Sequence, residues 1–306
     1  MTISIISHPD CLLHEIGSYH PECPARLNAI HDQLISSGLD LVLQHHEAPQ
    51  ATREQLYRVH DSEYVESIFH KSPTEGHIWL EPDTFMTPQS LPAALRAAGA
   101  VVLGVDLVMS GQSQSVFCNV RPPGHHAEHN KAMGFCIFNN IAVGAAHALQ
   151  EYQLKKIAIV DFDVHHGNGT EDIFRKTPEI LLCSTFQHPF YPHTGNSEVP
   201  HHIINVPLPA GTGSQAFRSA VKSSLLPELV KFQPELVLIS AGFDAHVEDD
   251  MASLNLVEQD FAWITRELKM VADEYANGRI VSVLEGGYAL SALGRSVVAH
   301  INALFG

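Results

Sequence analysis

Basic side chains are scarce in this chain: 18 lysines and arginines face 34 aspartates and glutamates, a formal charge of −16 over 306 residues. That balance argues against a nucleic-acid backbone as partner and favours the approach of cationic substrates through long-range steering. Cysteine is sparse and unpatterned. Cys11, Cys23, Cys118, Cys136 and Cys183 form no CxxC spacing, and their odd number fits a reduced cytoplasmic compartment better than a disulfide framework. No basic segment opens the chain and Asp10 arrives early, so no signal peptide is expected. The longest uninterrupted run of apolar residues and glycine, Ala97 to Val105, is too short to span a bilayer, so no membrane partner is expected. Internal repeats, low-complexity tracts and Pro/Gly/Ser linkers are also missing. One domain over residues 1–306 is the economical expectation.

What is present is an ordinary globular composition, 45% apolar and 17% charged. Apolar strand-like runs at 2–7, 41–45, 116–119, 157–161, 180–185, 203–206, 236–241 and 280–284 alternate with helix-like patterns. Several are rich in Val, Ile and Leu without alternation, as strands covered on both faces should be. The expected class is therefore α/β: a three-layer, open, mostly parallel sheet of about eight strands with helices on both faces. Between Thr87-Pro88 and Gly111, Leu91, Leu95, Ala98, Val102, Val105 and Met109 form one helical stripe, with Pro88 suited to its first turn. A second stripe of Phe261, Ile264, Leu268, Val271 and Tyr275 predicts a helix over about 256–277. Asn255 and Glu258 resemble its capping box, and Gly278 would end it. Further helices are expected near 25–36, 53–70, 141–151, 214–232 and 289–304.

Histidine is the outlier, with 21 residues and four His-His pairs. In parallel sheets, ligand sites form at the carboxyl ends of the strands. Four polar clusters stand there: Arg121 to His126, Asp161 to Asn168, Gly242 to His246, and Glu285 to Tyr288. Asp163 and His165 alternate along an extended segment and can grip one cation, with Asp244 as the natural third ligand. Two carboxylates and one imidazole leave a coordination position open, the arrangement of a catalytic zinc. With two aspartates such a metal is nearly neutralised and acidifies its water less than a tris-histidine site, so nearby bases must share the work. His125 and His126 follow a stiff Pro-Pro-Gly turn and suit general base and general acid. Tyr288, after Gly286-Gly287, can donate its hydroxyl to a developing oxyanion.

Plainer readings compete. The aspartates could be capping and turn residues, and Phe135, Tyr191 and Tyr288 could be packing. Cys136 and Cys183 fit buried small apolar residues better than nucleophiles. His45-His46 and His201-His202 lack supporting carboxylates and are expected on the surface. An EF-hand fails because histidines occupy its ligand positions and no Glu closes the loop. His125 to His129 spells an H-x-x-E-H zinc motif, but that motif needs a helix, and this segment is bracketed by prolines and Gly134.

Taken together, His20-Pro21-Glu22, Arg121 to Ala127, Gly134-Phe135-Cys136, Asp161 to Gly169, Ala241 to Asp244 and Leu284 to Tyr288 resemble the zinc-dependent histone deacetylase family, within the arginase–deacetylase fold. The resemblance implies zinc ligands at Asp163, His165 and Asp244. It implies His126 as the base, His125 as its partner oriented by Asp161, and Tyr288 as the carbonyl-polarising residue. Phe135 and Tyr191 would wall an acyl-lysine tunnel. A potassium ion would sit at Asp161, Ser184 and the carbonyls of Asp163 and His165, and a second monovalent cation at the carbonyls of Phe174, Thr177 and Ile180. Asn168, beside the base, and Leu284 to Gly287 resemble the class II branch, where class I has an aspartate at position 168.

Met251 occupies the position where polyamine-selective relatives carry an acid. The implied activity is hydrolysis of N-ε-acyl-lysine, acetyl first, in a protein or peptide. A small acylated amine such as an acetylpolyamine is the alternative, and a non-catalytic acyl-lysine binding module or a binuclear manganese hydrolase are more remote ones. Relatives often assemble, so the resemblance also admits a homo-oligomer.

Overall fold

A computed structural model describes residues 2–15, 17 and 20–306. Its strands are β1 (Ile3–Ser7), β2 (Gln44–Glu47), β3 (Ile78–Glu81), β4 (Thr84–Met86), β5 (Ser115–Cys118), β6 (Ile157–Asp161), β7 (Ile180–Gln187), β8 (Ile203–Leu208), β9 (Leu236–Ala241) and β10 (Ile280–Leu284). Eight of them form one open sheet in the order β2-β1-β5-β10-β9-β6-β7-β8, with every pairing parallel. Strands β5, β6, β9 and β10 are buried along their whole length, which is why they read as mostly apolar runs without alternation. The α/β class and its parallel sheet are as the sequence predicts.

Several boundaries differ for physical reasons. The strand expected at 41–45 begins at Gln44, because β1 pairs with Gln44 to Glu47. Leu39–Leu41 form a 3₁₀ turn that leaves Leu41 89% exposed. The β3–β4 hairpin was not expected. It is short, antiparallel and outside the main sheet, and its Trp79 and Phe85 pack on each other rather than on the core. The 53–70 helix is two helices, Arg53–Leu56 and Ser62–Lys71, and the 214–232 helix contains a π turn at Val221–Leu225. Asn168–Phe174, just beyond the clustered histidines, is an unforeseen helix.

The apolar helix runs from Ser90 to Met109, and Pro88 lies in the turn before it rather than in its first turn. By length and composition this helix could cross a membrane, yet it lies in the interior against β5, β10 and the Asn140–Glu151 helix. The later helix spans Glu258–Tyr275. Its cap is Asp260, which accepts the Val257 N–H, while Asn255 turns away to Gly211. His202 is buried and bonded to the Phe174 carbonyl, and half-buried His46 bonds Ser4, so neither is the surface residue expected. His45 and His201 are exposed as expected.

The order of the central strands decides where the chemistry lies. β5, β10, β9 and β6 are far apart in sequence but adjacent in the sheet, and being parallel they end at one edge. The loops after them are the four polar clusters.

Candidate active site

Asp163, His165 and Asp244 are buried, and their ligand atoms lie within 4.8 Å of one another. Asp161 ends β6, and the extended segment beyond it carries Asp163 and His165 toward the loop after β9. His165 Nδ1 is 3.0 Å from Asp163 Oδ1 and 3.3 Å from Asp244 Oδ2. Asp244 Oδ2 is buried and takes no hydrogen bond, a costly arrangement unless a cation satisfies it. The other oxygens are committed: Gly286 N–H donates to Asp163 Oδ2 at 2.8 Å, and Val164 N–H donates to Asp244 Oδ1 at 3.0 Å. A Cβ on Gly286 would collide with both carboxylates, so only glycine lets the loop after β10 close on the cage. Burial, and then Asp163, push the Asp244 carboxyl up to about 6. Two hard carboxylate oxygens, one of them orphaned, and one imidazole suit a metal ion.

The two neighbouring imidazoles are set in opposite senses. His125 donates from Nδ1 to Asp161 Oδ2 at 2.9 Å. Burial opposes charge on it, but Asp161 and Asp163 outweigh burial and hold the ring well above its ordinary range. His126 donates from Nδ1 to Asn168 Oδ1 at 2.8 Å. The amide faces this way because Asn168 Nδ2 donates to Glu128 Oε1 at 2.8 Å, which leaves its oxygen for His126. Burial, then the neighbouring His125 and His165, hold His126 well below its usual range. His126 is thus a neutral imidazole with Nε2 free to accept a proton, 4.1 Å from His125 between ring centroids.

The sequence places Glu285 in a strand-end cluster but gives it no role of its own. Its fully buried carboxylate accepts N–H groups of Gly124 (2.7 Å) and His125 (3.2 Å) and the Ser240 hydroxyl (3.2 Å), tying the histidine turn to two central strands. Burial raises it to about 7 against the pull of His125. Arg26, also missed, donates to the Glu285 and Gly287 carbonyls and sits 4.9 Å from the centre of the Tyr288 ring. Glu22 holds Arg26 and, in a bidentate pair, Arg121. Tyr288 is held by its backbone, whose N–H donates to Asp249 Oδ2 at 2.6 Å. Burial raises its phenol well above the ordinary value, so it stays a donor.

Above these groups lies a cavity of about 270 Å³, walled by Phe135, Tyr191, Phe190, Met251 and Tyr288, with His125, His126 and His165 at its floor. Asp83, from the unexpected hairpin, stands at its edge. It accepts the Tyr191 hydroxyl at 2.7 Å and the Gly134 N–H at 3.1 Å, while Thr84 Oγ1 accepts the Phe135 N–H at 3.0 Å. Gly134, with φ of +56°, packs so closely on His126 that a Cβ would strike its ring. Phe190 stacks on His165 at 5.4 Å. No motif marked Asp83 or Phe190. The His125 to His129 segment is irregular, and His129 bonds Asp172 instead of joining a zinc motif. Cys136 and Cys183 are fully buried.

Of the residues expected at monovalent cations, Ser184 pairs with Asp161 in the β6–β7 register, and its buried hydroxyl has no partner. The Phe174 carbonyl already accepts the Thr177 N–H and His202 Nε2, and the Thr177 carbonyl accepts the Ile180 N–H.

Comparison with known proteins agrees with this geometry. The histone deacetylase domain matches residues 20–304. Histone deacetylase 14, chloroplastic, of Arabidopsis thaliana is 38% identical, over 94% of this chain and 73% of that protein. The polyamine deacetylase HDAC10 of Mus musculus is 36% identical over 100% of this chain and 48% of its own length. The crystal structure of the HDA15 HD domain superimposes with a TM-score of 0.94 at 34% identity, covering 99% of this chain and 88% of that one. With four loops converging on one buried carboxylate–imidazole centre, the chain is a hydrolase of amides and belongs to the histone deacetylase family.

Proposed function

We propose that this chain is a cytoplasmic, zinc-dependent deacylase that hydrolyses N-ε-acyl-lysine, acetyl in the first place. The observation that carries the reading is the buried Asp163–His165–Asp244 cage beneath an aromatic cavity that His126 and Tyr288 line. Zinc held there would supply Lewis acidity to the amide carbonyl and to the attacking water. His126 Nε2 accepts a proton as water oxygen bonds to the carbonyl carbon, and returns it to the amine nitrogen as the C–N bond breaks. The products are free amine and carboxylic acid. Tyr288 donates its hydroxyl to the carbonyl oxygen as charge grows there. His125, held charged by Asp161, keeps His126 neutral beforehand. Phe135 and Tyr191 flank the aliphatic chain and exclude water. A potassium ion at Asp161 and Ser184 would satisfy the orphaned serine hydroxyl.

Lysine is favoured over polyamines by what surrounds Met251. Its thioether lines the cavity, and neither nearby acid replaces it. Asp249 is buried and accepts the N–H groups of Met251, Tyr288 and Ala289, and Asp250 is exposed outside the cavity walls. The likeness to polyamine deacetylase HDAC10 keeps acetylpolyamines as the second reading. The test compares turnover of an acetyl-lysine peptide with that of N-acetylputrescine, alongside the zinc content of the purified protein. Preference for the peptide with about one zinc per chain is expected. Preference for N-acetylputrescine would replace the lysine reading, and full turnover without bound metal would overturn the zinc reading.

A further inference from the structure

The chain has two tryptophans, and they differ sharply. Trp263 is 9% exposed, whereas Trp79, on β3, is 59% exposed. Trp79 faces Phe85 across the hairpin at 4.8 Å between ring centroids. Phe85 in turn meets His20 at 6.3 Å, and His20 lies edge-on to Phe135 at 4.6 Å. Because Phe135 walls the cavity, an aromatic path leads from solvent to the mouth. The same hairpin is acidic: Glu75, Glu81 and Asp83 lie between Ser72 and Met86, with no lysine or arginine. Lys131 stands 3.9 Å from Glu81, and Asp83 projects to the cavity edge. An exposed indole beside acidic side chains at a substrate entrance complements a cation, whose charge is drawn to the aromatic face.

We propose that Trp79 and Phe85 form a docking platform for a basic peptide segment flanking the acylated lysine. The proposal rests on the acyl-lysine reading and deepens it, since a small acylated amine has no flanking residue to lay on the platform. The occupant is a peptide cation because the face combines apolar rings with Glu81 and Asp83, against which Lys131 sets a single cation 3.9 Å from Glu81, in a chain of net charge −16.

The unaltered chain, its Trp79→Ala variant and its Trp79→Phe variant would be compared on three substrates: an acetyl-lysine peptide flanked by arginines, the same peptide flanked by glutamates, and N-acetylputrescine. Trp79→Ala is expected to raise KM for the arginine peptide roughly 3- to 10-fold at unchanged kcat, the contribution of one cation on one aromatic face. The other two substrates should be unaffected, and Trp79→Phe should restore part of the loss. Indole emission gives a readout independent of turnover. The arginine peptide should perturb it saturably in the unaltered chain but not in Trp79→Ala, where only Trp263 emits and reports the intact fold.

Equal KM changes on all three substrates, or emission indifferent to the arginine peptide, would overturn the platform. Emission that instead tracks protein concentration, with a matching change in sedimentation, would make this face a contact between copies and overturn it too. Failure of the unaltered chain to hydrolyse either peptide would refute the lysine reading, while the emission titration would still decide whether the face binds a basic peptide.

Discussion

The floor and the mouth of the cavity are built on different principles. At the floor, Asp163, Asp244 and Glu285 are buried, and each accepts backbone N–H groups, so the central loops hold one another through main-chain bonds. At the mouth, Phe135, Tyr191, Asp83 and Met251 are half-buried, and Asp83 joins the hairpin to two other loops, through the Tyr191 hydroxyl and the Gly134 N–H. A floor of this kind suits electrostatic preorganisation, which depends on charges that do not move. A mouth of looser parts can accept different flanking chains at little cost to chemistry. Changes at the floor should therefore abolish turnover, and changes at the mouth should redistribute it.

The largest effect is expected for Asp163→Ala or Asp244→Ala. Turnover should fall at least ~10³-fold, the weight of several kcal/mol of Lewis-acid stabilisation, and zinc should be lost. A metal-replete, active variant would remove that residue from the cage. Tyr288→Phe should retain zinc and lose about 10²- to 10³-fold in kcat on an acetyl-lysine peptide. A change confined to KM would instead make the tyrosine part of the mouth.

Next comes the support beneath the floor. Burial opposes ionisation of Glu22, but Arg121, His14 and Arg26 outweigh it and hold the carboxyl down at about 2, against an ordinary 4.5. A depressed carboxyl contributes stability that is full above 4.5 and lost as pH falls toward 2, here about 3 kcal/mol. Urea midpoints of the parent should approach those of Glu22→Gln across that interval. A constant gap would show that the ion pairs do not set acid stability.

Smaller still is Asn168→Asp. A carboxylate beside His126 favours imidazolium, so the acidic limb of kcat/KM should move about 1 unit upward in pH. A limb that stays put would mean His126 is not the base it reports. Tyr191→Phe removes one half-exposed hydrogen bond, about 0.5–1.5 kcal/mol, and should change KM several-fold with kcat intact. An equal loss in kcat would place Tyr191 with the floor.

The floor was legible because its residue types are expensive to bury without a purpose. Carboxylates and imidazoles alternating past a buried strand, as Asp161 to His165 do, rarely serve packing alone. The mouth was less so. Asp83 is an ordinary aspartate in a Pro-Asp turn, and Phe190 an ordinary aromatic beside prolines. Glu285 was visible as part of a motif, but its bonds to Gly124 and His125 join positions 161 and 160 residues away. The β3–β4 hairpin is faint in the sequence because a three- or four-residue strand that buries little apolar surface leaves little periodicity to read.

The α/β class, the strand-end position of each polar cluster and the chemical kind of the centre follow from the order of the residues alone. Hydrophobic runs and buried charge are local consequences of composition. That β5, β10, β9 and β6 stand side by side emerges in the folded chain, because strand order depends on how the intervening helices pack, not on any one segment. The opposite fates of His125 and His126 are likewise set by the fold. Adjacent in sequence and identical in type, they differ because Asp161 meets one ring and Asn168 the other across the fold.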